Sequence, residues 1–83
     1  MPLYLDTHEH VPGLTAEAIA DAHRRDLEVQ DRHGVNYMRY WFDEATGKVY
    51  CLAEAPSPEA MVATHAEAHG ILADGIVRVT EGA

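Results

Sequence analysis

The stretch VNYMRYWFDEATGKVYCLAE, residues 35–54, decides the fold of this chain. Residues 35–43 and 48–54 are rich in β-branched and aromatic side chains, which are typical of strands. The intervening EATG contains a glycine, as short hairpin connections commonly do. The stretch therefore predicts a β-hairpin.

The register of this hairpin assigns its side chains to two faces. Pairing Asp43 with Lys48 makes one face apolar, whereas a slip of one residue would exchange the faces of one strand. The face expected under the helices holds Met38, Tyr40, Phe42, Val49, Cys51 and Ala53. The face expected at a dimer interface holds Tyr37, Arg39, Trp41, Tyr50, Leu52 and Glu54. On the second face we expect an ion pair between Arg39 and Glu54.

The residues before the hairpin predict a strand and a helix. Residues 3–6 are a short apolar run, which ends before the turn-forming sequence at 11–13. Thr15 is suited to cap a helix over residues 16–33, a segment without glycine or proline. Gly34 then fits the position just past a helix end.

The residues after the hairpin predict a second helix and a last strand. Ser57 can cap the helix and Pro58 can occupy its first position, where a missing N–H is tolerated. The helix is expected to run to residue 69 and to stop at Gly70. Residues 76–80 are expected to form the final strand.

The order of these elements, β-α-β-β-α-β, predicts an α+β fold of the ferredoxin-like type. This fold has a four-stranded antiparallel sheet with both helices on one face, here as a single domain over residues 1–83. The other face of the sheet is open. Because a bare apolar face would aggregate, we expect a homodimer that forms through it.

Length and charge exclude several classes of protein. The 83 residues carry 14 acidic and 6 basic side chains, a net charge of −8, which is too few cations for a nucleic-acid or anionic-membrane surface. Cys51 is a lone cysteine and cannot form an internal disulfide. The sequence shows neither a signal peptide nor an apolar run of membrane-spanning length, so we expect a cytoplasmic location. The remaining anomaly is that the chain is histidine-rich, with six histidines.

Helical periodicity places polar groups where hydrocarbon would be expected. At about 100° per residue, both helices turn polar side chains toward the sheet. They are His23, Asp26, Gln30, His33, His65 and His69, with His33 at the margin. An unpaired buried polar group costs about 1–3 kcal/mol, so these groups must pair with one another or bind a ligand.

A divalent metal ion is one such ligand. His65 and His69 stand one helical turn apart on the same face, a spacing that lets two imidazoles reach one ion. Imidazole suits nickel, copper and zinc. Further candidate ligands on the inward faces are His23, Asp26, Cys51 and His33.

Two other interpretations of the histidines stay open. His8 and His10 lie two residues apart in the predicted acidic loop after the first strand, where they could form a separate surface site. Alternatively, the inward histidines form a hydrogen-bonded core cluster without an ion. In that case they would act as pH-sensitive groups, and the protein would unfold between about pH 6 and 5 whether or not metal is present.

Several segments together resemble a known family. They are HGV at 33–35, YW at 40–41, DEATGKVYCLAEAP at 43–56 and HAEAHG at 65–70. They resemble a family of small bacterial proteins, catalogued as a domain of unknown function, that includes a nickel-binding protein with a dimeric ferredoxin-like fold. The likeness runs from residue 2 to about 79. It implies a homodimer that binds nickel at its surface, with a role in nickel storage or detoxification.

These observations predict a homodimeric metal-binding protein that sequesters Ni²⁺, with Zn²⁺ or Cu²⁺ as other candidate ions. The alternative is a small enzyme of the dimeric α+β barrel type, with a pocket between sheet and helices. In that enzyme His23 and Asp26 would form the base, while Tyr40, Gln30 and His65 would position a small substrate.

Overall fold

Two helices cover one side of a four-stranded antiparallel sheet in the computed structural model, which describes residues 1–82. The strands are β1 (Leu3–His8), β2 (Asn36–Asp43), β3 (Lys48–Glu54) and β4 (Gly75–Val79), and the helices are α1 (Ala16–Val29) and α2 (Pro58–Ala68). The strands lie in the order β2-β3-β1-β4. The predicted ferredoxin-like α+β fold is therefore confirmed.

Both helices begin where the sequence predicts. The Thr15 hydroxyl accepts a hydrogen bond from the Ala18 N–H at 3.1 Å, and Ser57 caps α2 in the same way. The end of α1 differs from the prediction, because a 3₁₀ turn, Gln30–His33, follows Val29. The Gln30 side-chain oxygen, at the start of this turn, accepts the backbone N–H of Tyr37 at 2.9 Å.

Strand β2 contains a bulge that the predicted register did not include. Asp43 pairs with Lys48 as expected, but the register shifts between Tyr37 and Arg39. An extra residue in one strand reverses which face the earlier residues occupy. Tyr37 is consequently buried on the helix side, whereas Met38, predicted to be in the core, is 49% exposed.

The bulge also changes the predicted ion pair. Glu54 lies opposite Asn36, and its carboxylate accepts a hydrogen bond from the Asn36 side-chain amide at 3.1 Å. Arg39 lies opposite Leu52 instead, so the expected Arg39–Glu54 pair does not form within the described residues.

The helix faces are rotated slightly from the predicted ones. The same helical periodicity predicts that Leu27 and Val62 face inward, but they are 43% and 39% exposed. Ala22 and Thr64 are buried in their place, and the Thr64 hydroxyl donates to the Ala60 carbonyl at 2.8 Å. This hydrogen bond within α2 satisfies the hydroxyl without a partner from the sheet.

The sheet face away from the helices is largely apolar. Leu5 in the central strand β1 lies between Leu52 of β3 and Val77 of β4, and Trp41 lies opposite Tyr50. Trp41 and Val77 are each about half exposed. In the described part of the chain, neither helix has the length and hydropathy needed to cross a membrane.

Candidate metal centre

Strand β1 contributes two polar side chains to the interior. Its residues alternate between partly and fully buried, and the buried set on the helix side is Tyr4, Asp6 and His8. The Asp6 carboxylate has no exposed surface. The strand runs two residues further than predicted, so His8 is its last residue and not part of a loop.

His65 lies between two buried carboxylates. Its Nδ1 is 2.9 Å from Oδ1 of Asp26, and its Nε2 is 2.8 Å from Oδ2 of Asp6. Because each ring nitrogen faces an acceptor, each carries a proton and the ring is an imidazolium. Burial alone would lower the pKa of His65, but hydrogen bonds and charge from Asp26 and Asp6 raise it to about 9.

Asp26 also binds the second histidine of α2. Nε2 of His69 lies 3.1 and 3.2 Å from the two oxygens of Asp26. Nδ1 of His69 accepts the N–H of Ile71 at 3.0 Å, which places the ring proton on Nε2. Burial would raise the pKa of Asp26, but the hydrogen bonds and charges of the two histidines lower it. The predicted inward placement of His65 and His69 is confirmed.

The second oxygen of Asp6 is buried without a hydrogen-bond donor among the described residues. This atom, Oδ1, faces Nε2 of His8 at 3.4 Å, a distance that allows ionic attraction but lacks hydrogen-bond geometry. Burial would raise the pKa of Asp6, yet the hydrogen bond from His65 and the charges of His65 and His8 lower it to about 2. Asp6 is therefore a buried anion with one coordination direction unused.

Two overlapping sets of donor atoms meet the spacing that a metal ion requires. They are Asp6, His8, Cys51 and His65 in one set, and Asp26, His65 and His69 in the other. Within each set the donor atoms lie within 4.8 Å of one another. Ligands that each lie about 2.0–2.3 Å from one ion are separated by less than this, so either set could close on an ion with small shifts.

A cavity of about 20 Å³ adjoins this cluster, between α1 and the sheet. Its lining includes His8, Cys51, His65 and His69. The volume admits about one water molecule. The cavity is therefore of a size for a single ion or water.

A family model described as "Nickel responsive protein SCO4226-like" matches residues 4–79. The chain belongs to this family. The crystal structure of SCO4226 from Streptomyces coelicolor A3(2) superimposes with a TM-score of 0.88 at 37% sequence identity, covering 98% of this chain and 99% of that one. A comparison with curated proteins gives no match. The expected kinship with a nickel-related family is thus confirmed.

The match to the SCO4226-like family includes the whole buried cluster, but several predicted ligands lie outside that cluster. His33 is bound to Glu67 at 2.8 Å, beside an Arg32–Glu67 ion pair on the surface. His10 is exposed, and its Nδ1 lies 3.1 Å from the Thr46 carbonyl. His8, by contrast, is buried at the end of β1.

His23 and Asp26, which lie about one turn apart on α1, do not form a hydrogen bond with each other. The His23 ring lies against Tyr40 with ring centroids 4.7 Å apart, at the wall of the cavity. Burial lowers the pKa of His23, an effect that the charge of Asp26 only partly opposes. Both oxygens of Asp26 instead face His65 and His69, so the base suggested for an enzyme does not form as a hydrogen-bonded pair.

Sequence reasoning missed two residues of the cluster. Asp6 was assigned only to a short strand. Its position two residues from both Tyr4 and His8, on the same face of β1, is the pattern that could have placed it in the interior. Tyr37 was placed on the wrong face by the unrecognised bulge. Its hydroxyl lies 3.1 Å from Nε2 of His65 and donates to the Met61 carbonyl at 3.3 Å.

Proposed function

We propose that this protein is a homodimer that binds nickel and holds it for storage, sequestration or detoxification. One observation carries the proposal: a buried set of imidazole, carboxylate and thiol groups in a member of a nickel responsive family. The set consists of Asp6, His8, Asp26, Cys51, His65 and His69.

The chemistry of these donors favours nickel, zinc or copper over magnesium or calcium. Imidazole and thiolate are ligands for the later first-row metals, whereas magnesium and calcium prefer sites made of oxygen atoms alone. The orphaned Oδ1 of Asp6 is the structural sign that a cation fits here. At the level of the whole molecule, the net charge of −8 attracts cations to the surface.

The buried cluster is better suited to holding a metal ion than to catalysing a reaction. Catalytic metal sites keep an open position for water or substrate. Here the ligating groups are almost wholly buried, and the adjoining cavity of about 20 Å³ has space for about one water molecule. A buried ion that exchanges slowly is the property that a sequestering protein requires.

The homodimer is proposed through the open face of the sheet. Leu5, Leu52 and Val77 form a continuous apolar row across three strands, and the half-exposed Trp41 lies opposite Tyr50 on the same face. A patch of this kind on so small a domain is a typical interaction surface. A second copy of the chain supplies an equally apolar partner and adds to a core that is marginal at this length.

Calorimetric titration of the metal-free protein with Ni²⁺ tests the proposed binding, with Mg²⁺ as the comparison cation. We expect Ni²⁺ to bind far more tightly than Mg²⁺, and Ni²⁺ at 100 times its Kd to add about 2.7 kcal/mol to the free energy of unfolding. His65→Gln should abolish this gain, whereas His10→Gln, a change to an exposed histidine, should preserve it. Binding no better than millimolar for Ni²⁺, Zn²⁺ and Cu²⁺ would refute the proposal.

A further inference from the structure

The two sets of donor atoms in the buried cluster differ in how many of their polar atoms have a hydrogen-bond partner. On one side, both oxygens of Asp26 accept protons from His65 and His69, and both nitrogens of His69 have partners. On the other side, Oδ1 of Asp6 has no donor among residues 1–82. A cation gains most where a buried acceptor is unpaired, because fewer existing hydrogen bonds are lost there.

The orientation of His8 places a second candidate ligand atom beside that oxygen. Its Nδ1 lies 3.2 Å from the Leu72 carbonyl, an atom that can only accept, so Nδ1 carries a proton. Nε2 faces Oδ1 of Asp6 at 3.4 Å without hydrogen-bond geometry. This separation is close to that of two neighbouring ligands that each lie about 2.0–2.2 Å from one ion.

The sheet register brings the single thiol to the same point. Cys51 on β3 lies directly opposite Asp6 on β1, and both side chains are on the helix side. Burial, and the neighbouring charge of Asp6, raise the pKa of the Cys51 thiol, so it is protonated without metal. A divalent cation reverses that preference, because thiolate is its ligand.

We propose that the ion is bound by Asp6, His8, Cys51 and His65, with the Cys51 thiolate as a ligand and Nε2 of His65 as the nitrogen that faces it. This assignment rests on the proposed function and specifies its donor atoms. Binding of the ion would release the proton of the thiol and that of Nε2 of His65. The ligand class is a borderline divalent cation such as Ni²⁺.

Asp26 and His69 are then positioning residues. Asp26 accepts the Nδ1 proton of His65 at 2.9 Å, which directs Nε2 toward Asp6 and makes it a stronger ligand. His69 donates to the same carboxylate and holds it in place. Partners of this kind affect metal affinity without contributing a bond to the ion.

The test is Ni²⁺ binding to the full chain, followed by near-ultraviolet absorption and by X-ray absorption at the nickel edge. We expect one ion per subunit, a thiolate-to-metal charge-transfer band, and one sulfur atom in the coordination shell. Cys51→Ser should remove the band and weaken affinity at least tenfold. Asp26→Asn should weaken affinity about ten- to hundredfold and keep the band. His33→Gln, which changes a surface histidine, should alter neither.

The outcomes separate this inference from the proposed function. Nickel bound without a sulfur neighbour overturns the assignment and leaves nickel binding intact. X-ray absorption of the unmodified protein decides this even if Cys51→Ser does not fold. No binding of Ni²⁺ by the unmodified protein overturns both. A band that persists in Cys51→Ser also overturns the assignment, since Cys51 is the sole cysteine.

Discussion

Nε2 of His65 lies 2.8 Å from Oδ2 of Asp6, in the interior of the protein and between residues 59 positions apart in sequence. With Asp26 on the opposite edge of the ring, this contact holds a positive charge between two negative ones. The surrounding fold is small, so the behaviour of these three side chains should dominate several measurable properties.

The first prediction concerns pH. The pKa of His65 rises from 6.5 to about 9 on folding, so its contribution to stability is complete below pH 6.5 and is lost as pH rises through 9. The pKa of Asp6 falls from 3.8 to about 2, so its contribution is complete above pH 3.8 and is lost as pH falls toward 2. Thermal melts of the metal-free protein should give maximal stability between these limits.

This pH dependence of stability is opposite to that of a histidine core that unfolds on acidification between pH 6 and 5. His65→Gln should remove the loss of stability between pH 6.5 and 9, an effect of a few kcal/mol in the unmodified protein. His23, whose pKa is lowered mainly by burial, acts in the acid-sensitive direction. A melting temperature of the unmodified protein that stays constant between pH 6.5 and 9 would contradict the charged state assigned to His65.

The second prediction concerns the removal of one buried carboxylate. Asp26→Ala leaves the His65 imidazolium with a single counter-charge, and we expect it to cost about 3–5 kcal/mol in the free energy of unfolding. Urea titration of the metal-free protein measures this. Asp21→Ala on the same helix removes exposed ion pairs to Arg24 and Arg25 and should have little effect. Equal losses in the free energy of unfolding for the two variants would show that the buried cluster does not contribute to stability.

The third prediction concerns the open face of the sheet. Leu52→Glu places a charge in the apolar row and should convert a dimer to a monomer in light scattering after size exclusion. Val62→Glu, a change to a half-exposed position on the outer side of α2, should leave the dimer intact. A monomeric unmodified protein would contradict the proposed homodimer.

The fourth prediction concerns the hairpin connection. Gly47 has a φ of +79°, and an added Cβ would lie 2.6 Å from Nδ1 of His10 and 3.2 Å from the backbone nitrogen of Val11. The Gly47 carbonyl also accepts the Val11 N–H at 2.8 Å, so the backbone cannot easily move away. We expect Gly47→Ala to cost about 2–4 kcal/mol in urea titrations.

Gly13→Ala is the matched control for that change. Gly13 has a φ of +69° but open space around it, so alanine there meets only the intrinsic strain of about 1–2 kcal/mol. The difference between the two variants measures the contact with the loop that contains His10. If the two costs agree, that loop is free to move.

Local signals were sufficient to predict most of the fold. Thr15 and Ser57 begin the helices through hydrogen bonds to residues three positions on, and such interactions are visible in sequence. The bulge next to Tyr37 was not visible, because it depends on how the β2 backbone meets β3 and on its contact with Gln30. A single extra residue then exchanged Tyr37 and Met38 between the two faces.

The candidate site was predicted only in part, for a similar reason. His65 and His69 are found by helical spacing, which is local. Asp6 is not, since its importance comes from pairing across the sheet with Cys51 and across the core with His65. Contacts of this kind between distant residues depend on the complete fold, so they are hard to predict from a single sequence.

The buried charges have a further consequence for how the chain folds. Asp6, Asp26 and His65 come from the first strand, the first helix and the second helix. A partly folded chain that lacks any one of these segments buries a charge without its full complement of partners, a strongly unfavourable state. Compact intermediates should therefore be sparsely populated, and strand and helices should be lost in a single cooperative transition.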